Sequence, residues 1–118
     1  HVPIHCTASG KLFLSFMPED RRDAILKTIK LERMTDHTIT DIGTLKKEFA
    51  SIAKQGYAYD RQEFIPGLIA MAVPVRDADN QVRGAIAVHA PVARLSIEAA
   101  TQHLSALQNA AERMGALL

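Results

Sequence analysis

Apolar positions recur every three or four residues in the first half of the chain, then every two, before the longer period returns near the end. Ala8, Leu12 and Phe16 stand four apart, which predicts a short helix over residues 8–17, with Thr7 as its cap. Pro18-Glu19-Asp20 places a proline just inside a second helix start with acids in its first turn, and Ile25, Leu26 and Ile29 give that helix an apolar face. Thr35 to Asp41 is polar and β-branched and reads as a loop. Asp41 is placed to cap a third helix bearing Leu45, Phe49, Ile52 and Ala53, and Gly56 to end it.

The period then falls to two. Tyr57–Arg61, Leu68–Val75 and Val82–His89 read as strands, with Asp77-Ala78-Asp79-Asn80 as the turn between the last two. Pro74 has no amide to give a central ladder, so its end of the strand should lie at an edge or an irregularity. Ser96 then caps a helix in which Ile97, Ala100, Leu104, Leu107, Ala111, Met114 and Leu118 recur at spacings of three and four. That stripe predicts one long closing helix, buried on the sheet or on a partner helix. Three helices, an antiparallel sheet and a long C-terminal helix make an α+β fold, with residues 1–118 as a single domain and no repeat or linker to divide it.

Alternation also sorts each strand into two faces. Leu68, Ala70, Ala72 and Pro74 share one face of the second strand; Ala85, Ala87 and His89 share one of the third; Ala58 and Asp60 share one of the first. Two of these small-residue faces end on an ionisable group. If they lie on the same side of the sheet, they leave volume for a pocket with Asp60 and His89 at its rim. The same alanines would equally let a helix pack closely, and periodicity leaves both readings open.

Composition narrows the class without choosing a function. Of 118 residues, 47% are hydrophobic, enough for one globular core. Fourteen Lys and Arg against thirteen Asp and Glu leave a net charge of +1, which gives no footprint for nucleic acid or an anionic membrane. No apolar run reaches the length that spans a bilayer, and the single cysteine, Cys6, has no internal disulfide partner, so a cytoplasmic setting is expected. The chain opens on His1 without an initiator Met and is expected to be a fragment of a longer polypeptide.

Several segments, in order, resemble the effector domain of the IclR family of bacterial transcription regulators. They are His5-Cys6-Thr7-Ala8-Ser9-Gly10-Lys11, Leu31-Glu32-Arg33-Met34, Thr38-Ile39-Thr40-Asp41, Gly56-Tyr57-Ala58-Tyr59-Asp60, Glu63-Phe64-Ile65-Pro66-Gly67, Ala72-Val73-Pro74-Val75 and Ala90-Pro91 before Arg94-Leu95-Ser96. The resemblance implies a GAF-like antiparallel sheet with helices on its faces, a small organic acid as effector, and no further cofactor. It also implies a homodimer or homotetramer, and contact with DNA only through a separate N-terminal domain. In family members that bind small oxoacids, the amides matching Ala8 and Ser9 hold a carboxylate, the pocket acid matches Asp60 and an apolar wall position matches Leu68. Three polar positions, commonly Cys, Ser and Ser, fall on Ala70, Ala87 and His89 here. Losing a thiol and two hydroxyls removes donors, and His89 adds bulk and possible charge, so a larger or aromatic carboxylate is expected in place of glyoxylate or pyruvate.

Other chemistries have less support. A Cys6 nucleophile would need a base from His37, His89 or His103, since adjacent His5 points away in an extended segment. Asp60 and His89 lack the close spacing of a metal motif. Ala8-Ser9-Gly10-Lys11 resembles the end of a phosphate loop, but His5 stands where its first glycine should be. The sequence reads as no enzyme. A ligand-free oligomerisation module built on the Leu104 and Leu107 stripe is the competing reading. The charged faces at Arg21-Arg22-Asp23 and Lys46-Lys47-Glu48 are expected to be solvated.

Overall fold

The computed structural model describes residues 3–118. Its elements are α1 (Ala8–Phe16), α2 (Glu19–Leu26), α3 (Ile42–Gln55), β1 (Ala58–Arg61), β2 (Leu68–Arg76), β3 (Val82–Pro91), α4 (Ile97–Thr101) and α5 (Leu104–Gly115). Local chemistry fixes most boundaries. The side chains of Thr7, Asp41 and Ser96 accept hydrogen bonds from the amides of Gly10, Thr44 and Ala99, satisfying donors that a helix start leaves free. Gly56, at φ 86°, closes α3 by donating its amide to Ile52 O in a backbone conformation that favours glycine. Pro18 occupies the cap position of α2 and so lies one residue outside it. Ile29 lies beyond the end of α2 yet still packs into the cluster of Leu14, Leu26, Leu45 and Phe49 that joins the first three helices.

The sheet is antiparallel in the order β1-β2-β3. Pro74 sits opposite Ala85, past the Ala72 position where pairing with β1 ends and next to a register shift at Val75/Arg76. The irregularity thus follows just after the proline, which itself stays in register. Register also decides how the faces combine: Asp60, Ala70 and His89 form one row across the three strands, Ala58, Ala72 and Ala87 the next, and Pro74 and Ala85 a third. The small residues all lie on one side.

Helix α1 occupies that side. Ala8 and Leu12 cluster with Ala58, Ala70, Ala72 and Ile52 of α3, and Phe16, Ala85 and Ala87 pack at the margin. The Arg76 guanidinium lies 4.7 Å from the Phe16 ring centroid, so α1 ends over the far end of β2 and begins toward the Asp60–Ala70–His89 row. On the opposite face, Tyr59 and Met71 pack with Ala100, and Val73 and Val75 with Ala111. Helices therefore flank the sheet on both sides.

The closing segment corrects one expectation. The Ser96–Leu118 stripe forms two helices, interrupted at Gln102 and His103. Thr101 donates its hydroxyl to Ile97 O, and the amides of Gln102 and His103 bond Ala99 O and Ala100 O, three residues back, which tightens the turn. Ala100 of α4 packs with Tyr59 and Met71 and Ala111 of α5 with Val73 and Val75, while Leu104 and Leu107 of α5 touch both groups. The stripe is buried only in part, for Met114 and Leu118 remain exposed at its end.

Candidate functional site

The start of α1 is held tightly. Thr7 caps it and donates its own hydroxyl to Pro3 O, and Gly10 lies so close to the preceding segment that a Cβ there would stand 2.5 Å from Ile4 O. The amides of Ala8 and Ser9 have no acceptor among the described residues, while those of Gly10 and Lys11 are taken by Thr7. These two donors stand at the positive end of the helix, where Ala8 packs with Ala70 of the row shared by Asp60 and His89.

Each residue singled out by sequence has a definite place around this point. Ala8, Asp60 and Ala70 are buried, Ser9, Leu68 and Ala87 are half-buried, and His89 is exposed. The strands bring Asp60, Ala70 and His89 into one row, with Leu68 two residues along the same face. Ala87 belongs to the adjacent row, opposite Ala72, where α1 packs. The alanine rows under α1 are filled by that helix, and only the outer row reaches its open end.

A buried ionic cluster lies behind the site. Lys11, on the buried stripe of α1, is fully enclosed and donates to Glu48 Oε2 at 2.8 Å and Glu63 Oε2 at 2.9 Å. Glu63 Oε2 also accepts from the Arg61 amide at 3.0 Å, and the Glu63 amide donates to Asp60 Oδ1 at 2.7 Å. Burial pushes the Asp60 carboxyl above its usual range, against the opposing pull of the Glu63 amide, Lys11 and His89. Burial raises Glu63 as well, opposed first by the Lys11 charge. Thr35 and Thr38, in a segment read as plain loop, are buried and donate to Gln62 O and Glu63 O.

The sequence pattern alone does not mark this cluster as buried. Lys11 shares the helical stripe of Ala8, Leu12 and Ser15, which was the available signal, but a lysine there reads as surface. The expectation that both charged helix faces are solvated is corrected at Glu48, which pairs with Lys11 across helices. It is corrected again at Arg22, whose guanidinium lies 5.1 Å from the Phe49 ring centroid.

The competing chemistries find little footing in the geometry. Cys6 is enclosed, and burial together with the charges of Asp60 and Glu63 pushes its thiol up to about 11, so it is a neutral thiol at physiological pH. His37, His89 and His103 are exposed, and His5 Nε2 is 2.8 Å from Glu32 O. No set of three His, Cys, Asp or Glu side chains is arranged for a metal among the described residues. No described helix is long and apolar enough to cross a membrane. A groove of about 540 Å³ lies elsewhere, between α5 and the β2–β3 turn, and an apolar cleft of about 400 Å³ runs between Met71, Val88 and Leu107.

Comparison with known proteins converges on one group. Residues 1–116 match the family described as bacterial transcriptional regulator IclR C-terminal. The probable transcriptional regulator SauR of Cupriavidus necator is 37% identical over 113 residues, which is 96% of this chain and 45% of that protein. The regulator KdgR of Escherichia coli is 32% identical over 97% of this chain and 43% of its own length. The chain thus spans less than half the length of the curated relatives it matches. Among solved structures, the inducer-binding domain of an Acinetobacter PobR double mutant, in complex with 3-hydroxybenzoic acid, superposes with a TM-score of 0.95 at 28% identity, covering 99% of this chain and 67% of that one.

Proposed function

This chain belongs to the IclR family of bacterial transcriptional regulators, as the C-terminal domain, and on that footing we propose that it senses a small organic carboxylate, aromatic in character. What supports the reading is the packing of Ala8, whose amide and that of Ser9 have no acceptor among the described residues, against Ala70 in the row that Asp60 and His89 share. A carboxylate suits the helix start, where two donors and the helix dipole favour an anion. Ala70 and Ala87 contribute no hydrogen-bond donors, and Leu68 adds an apolar wall, so the rest of the ligand should be apolar and flat. His89, at the exposed end of the row, is placed to meet a second polar group on such a ligand. The solved PobR domain, with its 3-hydroxybenzoic acid, supports this ligand class.

In the intact regulator the effector acts by binding one arrangement of subunits better than another, which changes the placement of DNA-binding domains supplied elsewhere in the protein. The regulator then works in the cytoplasm as a homodimer or homotetramer. A second reading, a ligand-free oligomerisation module, is favoured by α1 filling the alanine rows, but Leu104 and Leu107, the stripe expected to form its interface, pack on the sheet, and the exposed apolar residues near that end are Met114, Leu117 and Leu118. Calorimetry on the full-length regulator separates the two. The sensor reading predicts saturable binding of 3-hydroxybenzoate and none of glyoxylate. Tight glyoxylate binding would contradict the ligand class, and silence across a panel of aliphatic and aromatic carboxylates would favour the module.

A further inference from the structure

The buried cluster behind the site joins its two halves. Lys11 lies in the first turn of α1, two residues beyond the Ala8–Ser9 pair, and its ammonium is fully enclosed. One of its two carboxylate partners, Glu48, belongs to α3 and is a quarter exposed; the other, Glu63, belongs to the turn that follows β1 and is buried. Glu63 is held by three more hydrogen bonds, two within that turn and one from the loop before α3. Its Oε2 accepts the Arg61 amide, its amide donates to Asp60 Oδ1, and its carbonyl accepts from Thr38. Gln62, at φ 59°, adopts a left-handed conformation uncommon for a residue with a side chain, and Thr35 donates to its carbonyl at 2.5 Å. Its side-chain Oε1 accepts the Gly67 amide, which ties the start of β2 to the same turn.

Resting on the sensor reading above, we propose that Lys11 and Glu63 are positioning residues for the effector site. Their ion pair sets the separation between the amide end of α1, which receives the carboxylate, and the Asp60 turn, which bounds the ligand. A purely stabilising ion pair would be a poor device here, because desolvating both charges offsets much of their attraction. What an enclosed pair supplies well is geometry: Nζ can reach Glu63 Oε2 at 2.9 Å only while the helix start and the turn keep their spacing. Glu63 Oε1 has no hydrogen-bond partner among the described residues, so the pair acts through a single oxygen and bears the constraint there. The Glu48 arm anchors the same ammonium to α3 and touches neither half of the site. The two arms therefore make different predictions.

The test uses the full-length regulator with selective 15N labelling of alanine and serine, comparing Glu63→Gln, Glu63→Asp and Glu48→Gln. Each is measured at a temperature where unfolding curves show it folded. Positioning predicts that both Glu63 variants shift the Ala8 and Ser9 amide resonances and weaken 3-hydroxybenzoate binding roughly tenfold, the aspartate included because it keeps charge but loses reach. Glu48→Gln should leave those resonances in place and affinity within about twofold, whatever it does to stability. Equal effects from the two arms, or unmoved amides in both Glu63 variants, would overturn the proposal. If the wild type binds no 3-hydroxybenzoate, the sensor reading fails for that ligand, while the amide resonances still decide whether Glu63 sets the position of α1.

Discussion

At the scale of single residues, the polar groups enclosed beside apolar neighbours matter most. Asp60 is 3% exposed and hydrogen-bonded at one oxygen, so burial raises its carboxyl above the usual 3.8. A raised value means that the folded state holds the proton more tightly than the unfolded one. Its contribution to stability is therefore full below the ordinary value and is lost as pH rises through the raised one. Asp60→Asn should flatten the fall in stability as pH rises above the ordinary carboxylate range, as measured by urea denaturation, with Glu63 supplying the slope that remains. An unchanged slope would mean that Asp60 is not desolvated as described. Asp60 and His89 were legible in the sequence because strand alternation put them at the ends of small-residue faces. Lys11 and Glu63 were not, because pattern reading assigns charged side chains to the surface, and only the fold reveals that each has a partner more than fifty positions away.

At the scale of elements, caps and breakers were read correctly where one side chain fixes one boundary, as at Thr7, Asp41, Gly56 and Ser96. The interruption at Gln102 and His103 was not, since spacings of three and four persist through it and carry no signal for it. It depends on tertiary contact: Tyr59 OH meets Thr101 Oγ1 at 2.5 Å beside the break. The seat of α5 is tight at its end, where a Cβ on Gly115 would collide with the carbonyl oxygen of Arg76. Backbone cannot yield as a flexible side chain can. Gly115→Ala should therefore cost about 1–3 kcal/mol by overpacking, despite the better helix propensity of alanine. Chemical denaturation checks it, and a neutral or stabilising outcome would show that α5 stands farther from β2.

At the scale of the whole molecule, the sheet separates two kinds of work. Its outer face carries α4 and α5 on large apolar residues, a packing surface without polar convergence. Its inner face carries small residues that bring α1 close, and that closeness delivers the helix start to the Asp60 row. Alternation could identify the inner face, but it could not say whether a helix or a ligand fills it; the structure shows the helix over the alanine rows and the candidate site at its end. The central claim is that this end binds a carboxylate, and thermal unfolding of the full-length regulator tests it most directly. With 3-hydroxybenzoate at about 100 times its dissociation constant, the account predicts about 2.7 kcal/mol of added stability, lost in Asp60→Ala or His89→Ala. No stabilisation by any carboxylate in the panel, or stabilisation that survives both substitutions, would contradict it.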